Sequence, residues 1–458
     1  MRQQIRRLVG AAVTCGALAA AGIGGAPAHA MDNQLWIGAP YETVLPGAEP
    51  DGSARERTME VTISRDVADG EVPAGQLTVD VSEVAAFARV SWPDQCAPES
   101  EVRAVCAFPG MPDGTDTVPA ATFGLRALPG ADLGASGYVR YSATAGEFTS
   151  HTAETRVGLG NGPDLELSQA PYQRDLRPGT ETSVPATVSN TGNRTAERTL
   201  MWISASYGLR FEERHANCEY RDHATGTGAL CVLDEAVAPG ERYAMTTPLG
   251  VGRKAMYERF DQSVQPYSDE ALEEARGEWT WTRGTGPELD LRPVTTRTAA
   301  APEPDIDPQD NYQAVILDAR NTADLKLTGS RVRGAVGDTV TAEVTVHNRG
   351  PAWVASLGAG ASVATVRFRA PEGTTVGTLP EDRCWTAEDD GTSPVVHYCR
   401  TPIYLHDKAS FTFEIPLRID RVVRGAHTTV ETLNDDSELS IRKFDPNLRN
   451  NSTRIVVN

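Results

Sequence analysis

The side chains that most often do chemistry are scattered along this chain and match none of three common catalytic motifs. No H-E-x-x-H helix offers two histidines to zinc, no G-x-S-x-G turn presents a nucleophilic serine, and no G-x-x-x-x-G-K-[ST] loop could hold a phosphate. His215 and His223 flank Cys218 and, together with Asp222, could bind a metal ion. The simpler interpretation places these residues on the surface of a disulfide loop. The sequence therefore predicts no catalytic residue and no metal site here.

Pairs of carboxylates are the second group that could do chemistry. Asp305 with Asp307, and Asp435 with Asp436, could bind calcium through oxygen ligands or act as an acid and base pair. Neither stretch has the regular Asp spacing and terminal Glu of a dedicated calcium loop. Asx turns that lead into the following strand are the simpler interpretation. We therefore expect neither enzymatic activity nor a cofactor.

Cysteine is the third reactive residue type. Beyond Cys15 the chain has six cysteines in three close pairs, which are Cys96 and Cys106, Cys218 and Cys231, and Cys384 and Cys399. Reduced thiols and zinc ligation are alternatives, but no pair has the C-x2-C spacing or the nearby histidine pair of a zinc finger. With one pair in each third of the chain, we predict three local disulfides, which are typical of an oxidising compartment.

Residues 1–30 have the features of an export signal. The segment starts with basic residues, continues with apolar ones and ends with Ala28-x-Ala30, a small-x-small cleavage pattern. An arginine pair raises the alternative of twin-arginine export, but the residues after it fit the general secretory route better. We expect the mature chain to begin at Met31. Because no later stretch has the roughly 20 apolar residues needed to span a bilayer, we expect a secreted protein without a transmembrane anchor, either released or held noncovalently on the cell wall.

Charge and length limit the classes of function. Asp and Glu number 62 against 43 Lys and Arg, which gives a formal net charge of −19. Such a chain repels phosphate backbones, so nucleic acid is excluded as its main partner. A chain of 458 residues is long enough for roughly three domains. Composition leaves the oligomeric state open.

The last two thirds of the chain repeat one pattern. GTETSVPATVSNTG at 179–192 aligns without a gap with GDTVTAEVTVHNRG at 337–350. In both, a glycine precedes a strand of alternating apolar residues, and Asn-x-Gly ends it with residues that favour turns. Asp-Leu-x-Leu precedes both segments, and Asp-rich and Asn-rich clusters at 307–311 and 445–451 close both repeats. The first third is a weaker copy without the closing cluster.

The repeats divide the mature chain into three units. The boundaries fall near Gly160-Asn161-Gly162-Pro163 and near residue 320. We predict a degenerate unit at 31–161, a second at 162–319 that contains an insertion at 252–305, and a third at 320–458.

These residues resemble a known family, the Ig-like repeat modules of secreted and surface proteins of Gram-positive bacteria, especially actinobacteria, which are usually grouped as a domain of unknown function. The shared pattern is Asp-Leu-x-Leu, then Gly-Asp-x-Val-x-x-x-Val-x-Val-x-Asn-x-Gly-Pro, a cysteine pair and a closing Asp-x-Asn-Pro-x-Asn-Asn. Residues 324–351 and 445–451 fit best, the middle unit fits moderately, and the first unit fits only from its strand to its cysteines. The resemblance implies an Ig-like β-sandwich in envelope or extracellular proteins and no catalytic residue.

We predict an all-β fold of tandem Ig-like antiparallel β-sandwiches, with a short helix in the insertion of the middle unit. Segments such as TAEVTVH and SFTFEIPLRI alternate apolar and polar residues as half-buried strands do. Two packed antiparallel sheets would bury one face of many such strands. We expect the short cysteine loops to clip neighbouring strands. Trp92, Trp202, Trp353 and Trp385 lie in or beside strands and are expected in cores or over disulfides.

The predicted insertion is rich in aromatic residues. Its segment SDEALEEARG predicts the short helix, because the serine can cap it and the glycine can end it. Long insertions on rigid scaffolds often bind partners, and a flap that covers the sheet is the alternative. We take Tyr267, Trp279 and Trp281 as candidate ligand-binding residues.

The sequence as a whole predicts a secreted, noncatalytic scaffold, spacer or adhesive module. The alternative is a carbohydrate-binding or cell-wall-binding protein that uses the aromatic insertion. The expected partner is an extracellular protein or a cell-wall glycan. An exposed, coplanar strip of aromatic rings would favour the glycan, and buried rings would favour the scaffold.

Overall fold

The computed structural model describes residues 33–65, 70–294, 305–307, 310–355, 361–386, 395–433 and 441–458. The predicted export signal lies outside these ranges, as do Asp435 and Asp436. Within them the chain forms 35 strands, two short α-helices and one 3-10 helix. None of the helices in these ranges has the length and hydrophobicity to span a bilayer.

The first sandwich is formed by residues 34–160. Its strands are β1 Gln34–Gly38, β2 Glu42–Pro46, β3 Glu56–Arg65, β4 Gly75–Asp80, β5 Ala88–Ser91, β6 Cys96–Ser100, β7 Arg103–Phe108, β8 Thr117–Ala127, β9 Ser136–Ala145, β10 Phe148–Ser150 and β11 Ala153–Gly160. One layer has the order β5-β8-β3-β1, and the other has the order β2-β11-β9-β4-β7-β6. The short β10 pairs with β1 and β9, so the layers are joined by hydrogen bonds along one edge.

The second sandwich follows after a linker at 161–164. Its elements are β12 Leu165–Leu167, β13 Gln173–Leu176, β14 Glu181–Asn190, β15 Thr199–Ser206, β16 Leu209–Phe211, β17 Cys218–His223, β18 Gly226–Leu233, β19 Arg242–Val251, β20 Tyr257–Pro266, α1 Asp269–Arg276, β21 Thr282–Arg283, β22 Arg292–Pro293 and β23 Tyr312–Ala319. One sheet has the order β12-β14-β19-β16, with β22 beside β19, and the other has the order β13-β23-β20-β15-β18-β17-β21.

The third sandwich follows after a linker at 320–324. Its elements are β24 Leu325–Gly329, β25 Arg331–Val332, β26 Thr339–Asn348, β27 Val354–Ala355, β28 Thr365–Arg369, β29 Thr374–Val376, β30 Cys384–Thr386, β31 Val396–Arg400, β32 Tyr404–Leu405, β33 Ser410–Ile419, β34 Ala426–Thr432, α2 Ile441–Phe444, the 3-10 helix Leu448–Asn450 and β35 Ser452–Val457. Its main sheets have the orders β24-β26-β33-β29 and β25-β35-β34-β28-β31-β30, and β27 pairs with β32.

All three sandwiches share one strand order. The smaller layer always places the first strand beside a long second strand, as β1-β3, β12-β14 and β24-β26 show. In the larger layer an early strand always runs parallel to the last strand, in the pairs β2-β11, β13-β23 and β25-β35. A four-stranded sheet packed on a sheet that contains the last two strands is the Ig-like arrangement. The structure therefore confirms the predicted fold class.

The repeated segment at 179–192 and 337–350 forms equivalent central strands. β14 and β26 have the same alternation of buried and exposed positions along all 10 residues. Val184, Ala186 and Val188 face one hydrophobic core in the second sandwich, and Ala342 and Val344 begin the equivalent set in the third. The apolar residues recur every second position because successive strand side chains point to opposite faces.

The cysteines lie on the hairpins at the edge of each larger layer. Cys96 and Cys106, Cys218 and Cys231, and Cys384 and Cys399 are directly opposite one another on β6-β7, β17-β18 and β30-β31. Their Cα atoms are 3.9, 4.0 and 4.1 Å apart, and each pair is bonded. The disulfides thus join neighbouring strands of one hairpin, as expected from the short loops.

Extra chain in the second sandwich begins after β20. Residues 257–266 of the insertion predicted at 252–305 form β20 itself, and Phe260 is buried in the core. The predicted short helix is present as α1: the Ser268 hydroxyl accepts a hydrogen bond from the Ala271 N–H at 3.0 Å, and Gly277 ends the helix with φ of 56°. A positive φ favours glycine at this position.

Candidate functional site

The histidines singled out near Cys218 have local structural partners. The His215 Nδ1 lies 2.9 Å from the Pro287 carbonyl oxygen, and the His223 Nδ1 lies 3.1 Å from the Thr225 hydroxyl. Asp222 accepts hydrogen bonds from a guanidinium and a hydroxyl. Within the described ranges, no group of three or more His, Cys, Asp or Glu side chains is arranged to hold a metal ion.

Residues 267–281, which include α1, pack as a flap on the outer face of the larger sheet of the second sandwich. Most aromatic residues of the insertion hold this flap in place. Trp281 is half-buried, and its Nε1 donates to the Arg276 carbonyl at 3.0 Å. The Tyr267 hydroxyl donates to Asp269 at 2.5 Å. Trp279 is 61% exposed, and the Arg221 guanidinium lies 3.6 Å from its ring centroid. Of the three candidate residues only Trp279 is exposed, and ligand binding by them stays a prediction.

Leu272 is the apolar anchor of this flap. It is buried against Leu200 and Leu230 on the outer face of the larger sheet. We expect Leu272→Ala to free α1, at a cost of about 2 to 5 kcal/mol for the local packing, while the sandwich itself stays folded. Limited proteolysis should then cleave the flap faster, and thermal unfolding of the sandwich should change little. An equal loss of stability in the whole sandwich would show that the flap belongs to its core.

The strand-associated tryptophans have different environments. Trp92 is partly buried, with its ring centroid 5.6 Å from that of Phe123. Trp202 lies beneath the flap, and Trp353 is 1% exposed between two sandwiches. Trp385 is 47% exposed. The expected role in cores or over disulfides therefore does not describe Trp385.

Buried charges mark the junction between the first and second sandwiches, which we call the first junction. Arg57 extends from β3 and is bonded to Asp164 in the short linker. The same guanidinium lies 3.1 Å from Asp310 and 3.9 Å from Asp307. Its side chain is 11% exposed, and that of Asp164 is fully buried. One cation of the first sandwich is therefore shared by three carboxylates that flank strands of the second.

Hydrogen bonds reinforce the first junction. The Thr43 hydroxyl donates to Asp307 at 2.7 Å. The Asn193 amide donates to the Gly47 carbonyl at 3.0 Å, from the second sandwich back to the first. Asp305 accepts from the Leu165 N–H at 2.9 Å, which fixes the closing cluster against the start of β12. The cluster predicted as a turn thus also holds two sandwiches together.

Carboxyl groups outnumber cations among the side chains of the first junction. Burial, followed by the neighbouring Asp164 carboxylate, raises the pKa of Asp310 to about 8. Burial is also the main cause that raises the pKa of Asp305 to about 7. Burial raises the pKa of Asp164 as well, although Arg57 opposes that rise. At neutral pH these groups hold protons more readily than exposed aspartates do.

The third sandwich carries a version of this cluster with two fewer carboxylates, because Asn447 and Asn450 stand at the positions of Asp307 and Asp310. Asp445 accepts from the Leu325 N–H at 2.9 Å, as Asp305 does from Leu165. Asn450 takes the place of Asp310 and donates to the Asp324 carboxylate at 2.8 Å. An amide therefore fits at the position of Asp310.

We expect Asp310→Asn to weaken the dependence of stability on pH. Asp310 keeps its proton up to about pH 8 when folded and loses it near its ordinary pKa of 3.8 when unfolded. The folded state then binds more protons between these values, so the free energy of unfolding should fall as pH rises through this window. Urea titrations of both proteins across this pH range would measure the slopes. Equal slopes would mean that Asp310 is not the group that titrates.

A second set of buried contacts joins the second and third sandwiches, which we call the second junction. The Trp353 Nε1 donates to the Glu258 carboxylate at 2.6 Å. Glu258 is 0% exposed and also accepts from the Ser206 hydroxyl and from the N–H groups of Gly208 and Met256 at 3.0 and 3.1 Å. Burial raises the pKa of Glu258, against the effect of these donors.

Charged and polar contacts surround Trp353. The Lys254 ammonium of the second sandwich lies 3.0 Å from Asp407 of the third. The Asn321 amide in the linker donates to the Ala255 carbonyl at 2.8 Å. The Trp353 N–H donates to the Lys254 carbonyl at 3.1 Å. Side chains and backbone of both sandwiches therefore fix the linker in place.

Two signals in the sequence point to these buried charges. Arg57 lies in phase with the buried Met59 and Val61, and Glu258 lies in phase with the buried Phe260. A charged residue on the core-facing side of a strand end lowers the stability of the fold unless a partner compensates for the burial of its charge. Arg57 finds its carboxylates outside the first sandwich, and Glu258 accepts one of its hydrogen bonds from Trp353 of the third.

No protein-family model and no curated protein match this chain. Among solved structures, the chain is similar to Dpr2 Ig1-Ig2 in complex with DIP-Theta Ig1-Ig3, with 8% identity, coverage of 92% of this chain and 98% of that chain, and a TM-score of 0.24. It is also similar to Escherichia coli alpha-2-macroglobulin activated by porcine elastase, with 12% identity and a TM-score of 0.17. That match covers 92% of this chain and 32% of the other, about a third of its length.

A third similar structure is the Yersinia pseudotuberculosis adhesin InvE. The identity is 11%, the match covers 65% of this chain and 58% of that chain, and the TM-score is 0.21. The Ig-like assignment of the present chain rests on its own strand order and pairing.

Proposed function

We propose that this chain is a noncatalytic extracellular spacer that holds three Ig-like sandwiches in fixed positions. The observation that carries the proposal is that a buried side chain crosses each junction, Arg57 at the first and Trp353 at the second. Domains joined by flexible tethers make few contacts across the linker. Here the linkers at 161–164 and 320–324 are short. Asp164 is bonded to Arg57 of the first sandwich and to Thr191 of the second. In the other linker, Asn321 donates to Ala255 of the second sandwich and the Asp324 carbonyl accepts from the Arg349 N–H of the third. The division into three units is part of this proposal.

Distance measurements between the outer sandwiches test the spacer. Spin labels on Asp113→Cys and Val422→Cys, both exposed positions, would report the separation of the first and third sandwiches by double electron–electron resonance. A rigid spacer should give one narrow distance distribution. A broad distribution in the otherwise unchanged protein would overturn the proposal.

Variants at the junctions sharpen this test. Arg57→Met together with Trp353→Ala should broaden the distribution. Arg126→Met together with Trp385→Ala changes the same residue types at exposed positions of the same sandwiches and should leave the distribution narrow.

The proposed location is outside the cell, as in the secreted modules of Gram-positive bacteria, especially actinobacteria, that the repeats resemble. The export signal predicted at 1–30, the three bonded cysteine pairs and the net charge of −19 support this location. Expression of the full sequence in a Gram-positive host should yield protein that starts at Met31 in the medium or the cell-wall fraction. Recovery of an uncleaved chain with reduced cysteines would contradict it.

Binding of a glycan or cell wall through the flap is the second candidate, since Trp279 is exposed. Retention of the mature chain on purified cell wall should then be lost in Trp279→Ala. Retention that is unchanged in this variant would remove the flap as the binding site.

A further inference from the structure

One row of side chains crosses the outer face of the larger sheet in the third sandwich. Trp385 pairs with Tyr398, Tyr398 with Arg367, and Arg367 with Glu431. Residues paired across neighbouring strands point to the same face, so the four side chains form a continuous row over β30, β31, β28 and β34. We call it the Trp385 row.

Two aromatic rings form one end of the Trp385 row. The ring centroids of Trp385 and Tyr398 are 5.6 Å apart, and the ring planes differ by 13°. Trp385 is 47% exposed, and Tyr398 is half-buried. The pair therefore presents nearly parallel aromatic faces on the outer face of the larger sheet.

Arginines surround the rest of the row. Arg367 is paired with Glu431 at 2.6 Å. Arg369, Arg400 and Arg454 are exposed on the strands of the same sheet. Within the described ranges, no carboxylate forms an ion pair with any of these three. A groove of about 540 Å³ runs along this face between β28, β31 and β34. The surface is locally cationic in a chain whose net charge is −19.

The equivalent row in the second sandwich is covered by that sandwich's own helix. The disulfides align the two sheets, so that Trp202, Leu230 and Glu219 correspond to Arg367, Tyr398 and Trp385. Leu272 of α1 packs in the same hydrophobic cluster as Trp202 and Leu230. The Arg276 guanidinium donates to Glu219 at 2.8 Å.

The third sandwich lacks the apolar surface on which this helix packs. The positions of Leu200, Trp202, Leu230 and Val232 are taken by Thr365, Arg367, Tyr398 and Arg400. An apolar helix face gains little by packing on such residues. In the first sandwich the equivalent row is Thr78, Val105 and Ala97, which offers neither an aromatic platform nor a charge. The third sandwich thus differs from both copies in a way that suits a polar, anionic ligand.

We propose that the Trp385 row and the arginines around it bind an acidic glycan, a sugar chain that carries carboxylates. The faces of Trp385 and Tyr398 contact the C–H groups of the sugar rings. Guanidinium groups of Arg369 and Arg454 donate paired hydrogen bonds to the sugar carboxylates, a geometry that arginine suits better than lysine. This binding goes beyond the spacer role and does not depend on it, because it needs only the third sandwich to be folded.

Titration of the mature chain with three probes tests the ligand class. Hexagalacturonate is an acidic sugar, cellohexaose is a neutral sugar, and poly-L-glutamate is an acidic polymer without sugar rings. Isothermal calorimetry should show binding of hexagalacturonate, with affinity that falls as salt rises, and weaker binding of the other two. Equal binding of poly-L-glutamate would overturn the glycan in favour of an acidic peptide, and equal binding of cellohexaose would overturn the role of charge. Absence of binding to all three would overturn the site.

Variants locate the binding. Trp385→Ala should weaken hexagalacturonate binding by about tenfold or more, the effect expected for a central aromatic contact, without a change in thermal unfolding. Arg369→Gln with Arg454→Gln should reduce both affinity and its dependence on salt. Trp36→Ala, which removes a tryptophan of similar exposure (46%) from the first sandwich, is the matched control and should leave binding unchanged. Loss of binding in the control with retention in Trp385→Ala would overturn the proposal.

Discussion

Replacement of Arg57 by methionine is expected to destabilise the first junction by about 3 to 5 kcal/mol, the cost of removing one partner from a buried ion pair. Methionine keeps much of the apolar stem but leaves Asp164, Asp307 and Asp310 without their shared cation. The first sandwich should then unfold separately from the second. Urea titration, followed by hydrogen exchange of the β3 and β12 amides, would measure the loss.

Arg126→Met is the matched control for Arg57→Met. Arg126 lies on the neighbouring β8 and pairs with Glu56 at 3.0 Å, but its side chain is 56% exposed. Exposed pairs of this kind contribute about 0 to 1 kcal/mol, so this variant should behave almost as the unchanged protein. Similar losses in both variants would show that the first junction does not depend on the buried cation.

Trp353→Ala is expected to cost about 3 to 5 kcal/mol through lost packing alone. It also removes the Nε1–H donor of the buried Glu258 carboxylate. The second junction should open, and His406, whose ring centroid is 5.8 Å from that of Trp353, should become more exposed. Thermal unfolding of the mature chain should change from coupled to separate transitions for the second and third sandwiches.

Two further variants separate packing from hydrogen bonding at the second junction. Trp353→Phe keeps an aromatic ring and removes one of the donors to Glu258, so its cost should be about 1 to 3 kcal/mol, the contribution of one hydrogen bond to a buried carboxylate. Trp385→Ala removes an exposed tryptophan of the same sandwich and should barely change the transition. If Trp353→Phe were as damaging as Trp353→Ala, the hydrogen bond to Glu258 would dominate.

The sequence predicted the repeated core well because its pattern is local. The strand alternation in TSVPATVS and TAEVTVH reports directly which side chains face inward, and the structure shows the same burial along β14 and β26. Short cysteine spacings likewise restrict each pair to neighbouring strands of one hairpin. These features need only contacts within a few tens of residues.

The junctions could not be predicted in the same way, because their partners are far apart in the chain. Arg57 and Asp310 are separated by 253 positions, and Glu258 and Trp353 by 95. Periodicity could show that Arg57 and Glu258 are in phase with core residues, but not which side chain meets them. The sequence shows Asp305 and Asp307 as a pair of carboxylates. In the structure Asp305 accepts a hydrogen bond from β12, and Asp307 accepts one from the first sandwich.

The extent of the insertion was also hard to read from sequence. Tyr257 and Phe260 belong to β20, and the extra chain begins after Pro266. β20 carries the polar residues Glu258 and Gln262 on its buried side. Its sequence therefore lacks the apolar alternation by which a core strand is recognised. The counterpart in the third sandwich, β34, identifies it as one of the shared strands.

The parallel pairing of an early strand with the last strand determines how the chain would bear a pulling force. Tension on the two ends of a sandwich draws such strands past each other lengthwise, so every hydrogen bond between them is loaded at once. β2 and β11 are in register over five positions, whereas β13 with β23 and β25 with β35 are paired at two each. A chain stretched between two anchors should therefore yield first in the second or third sandwich, and the first should be the last to rupture.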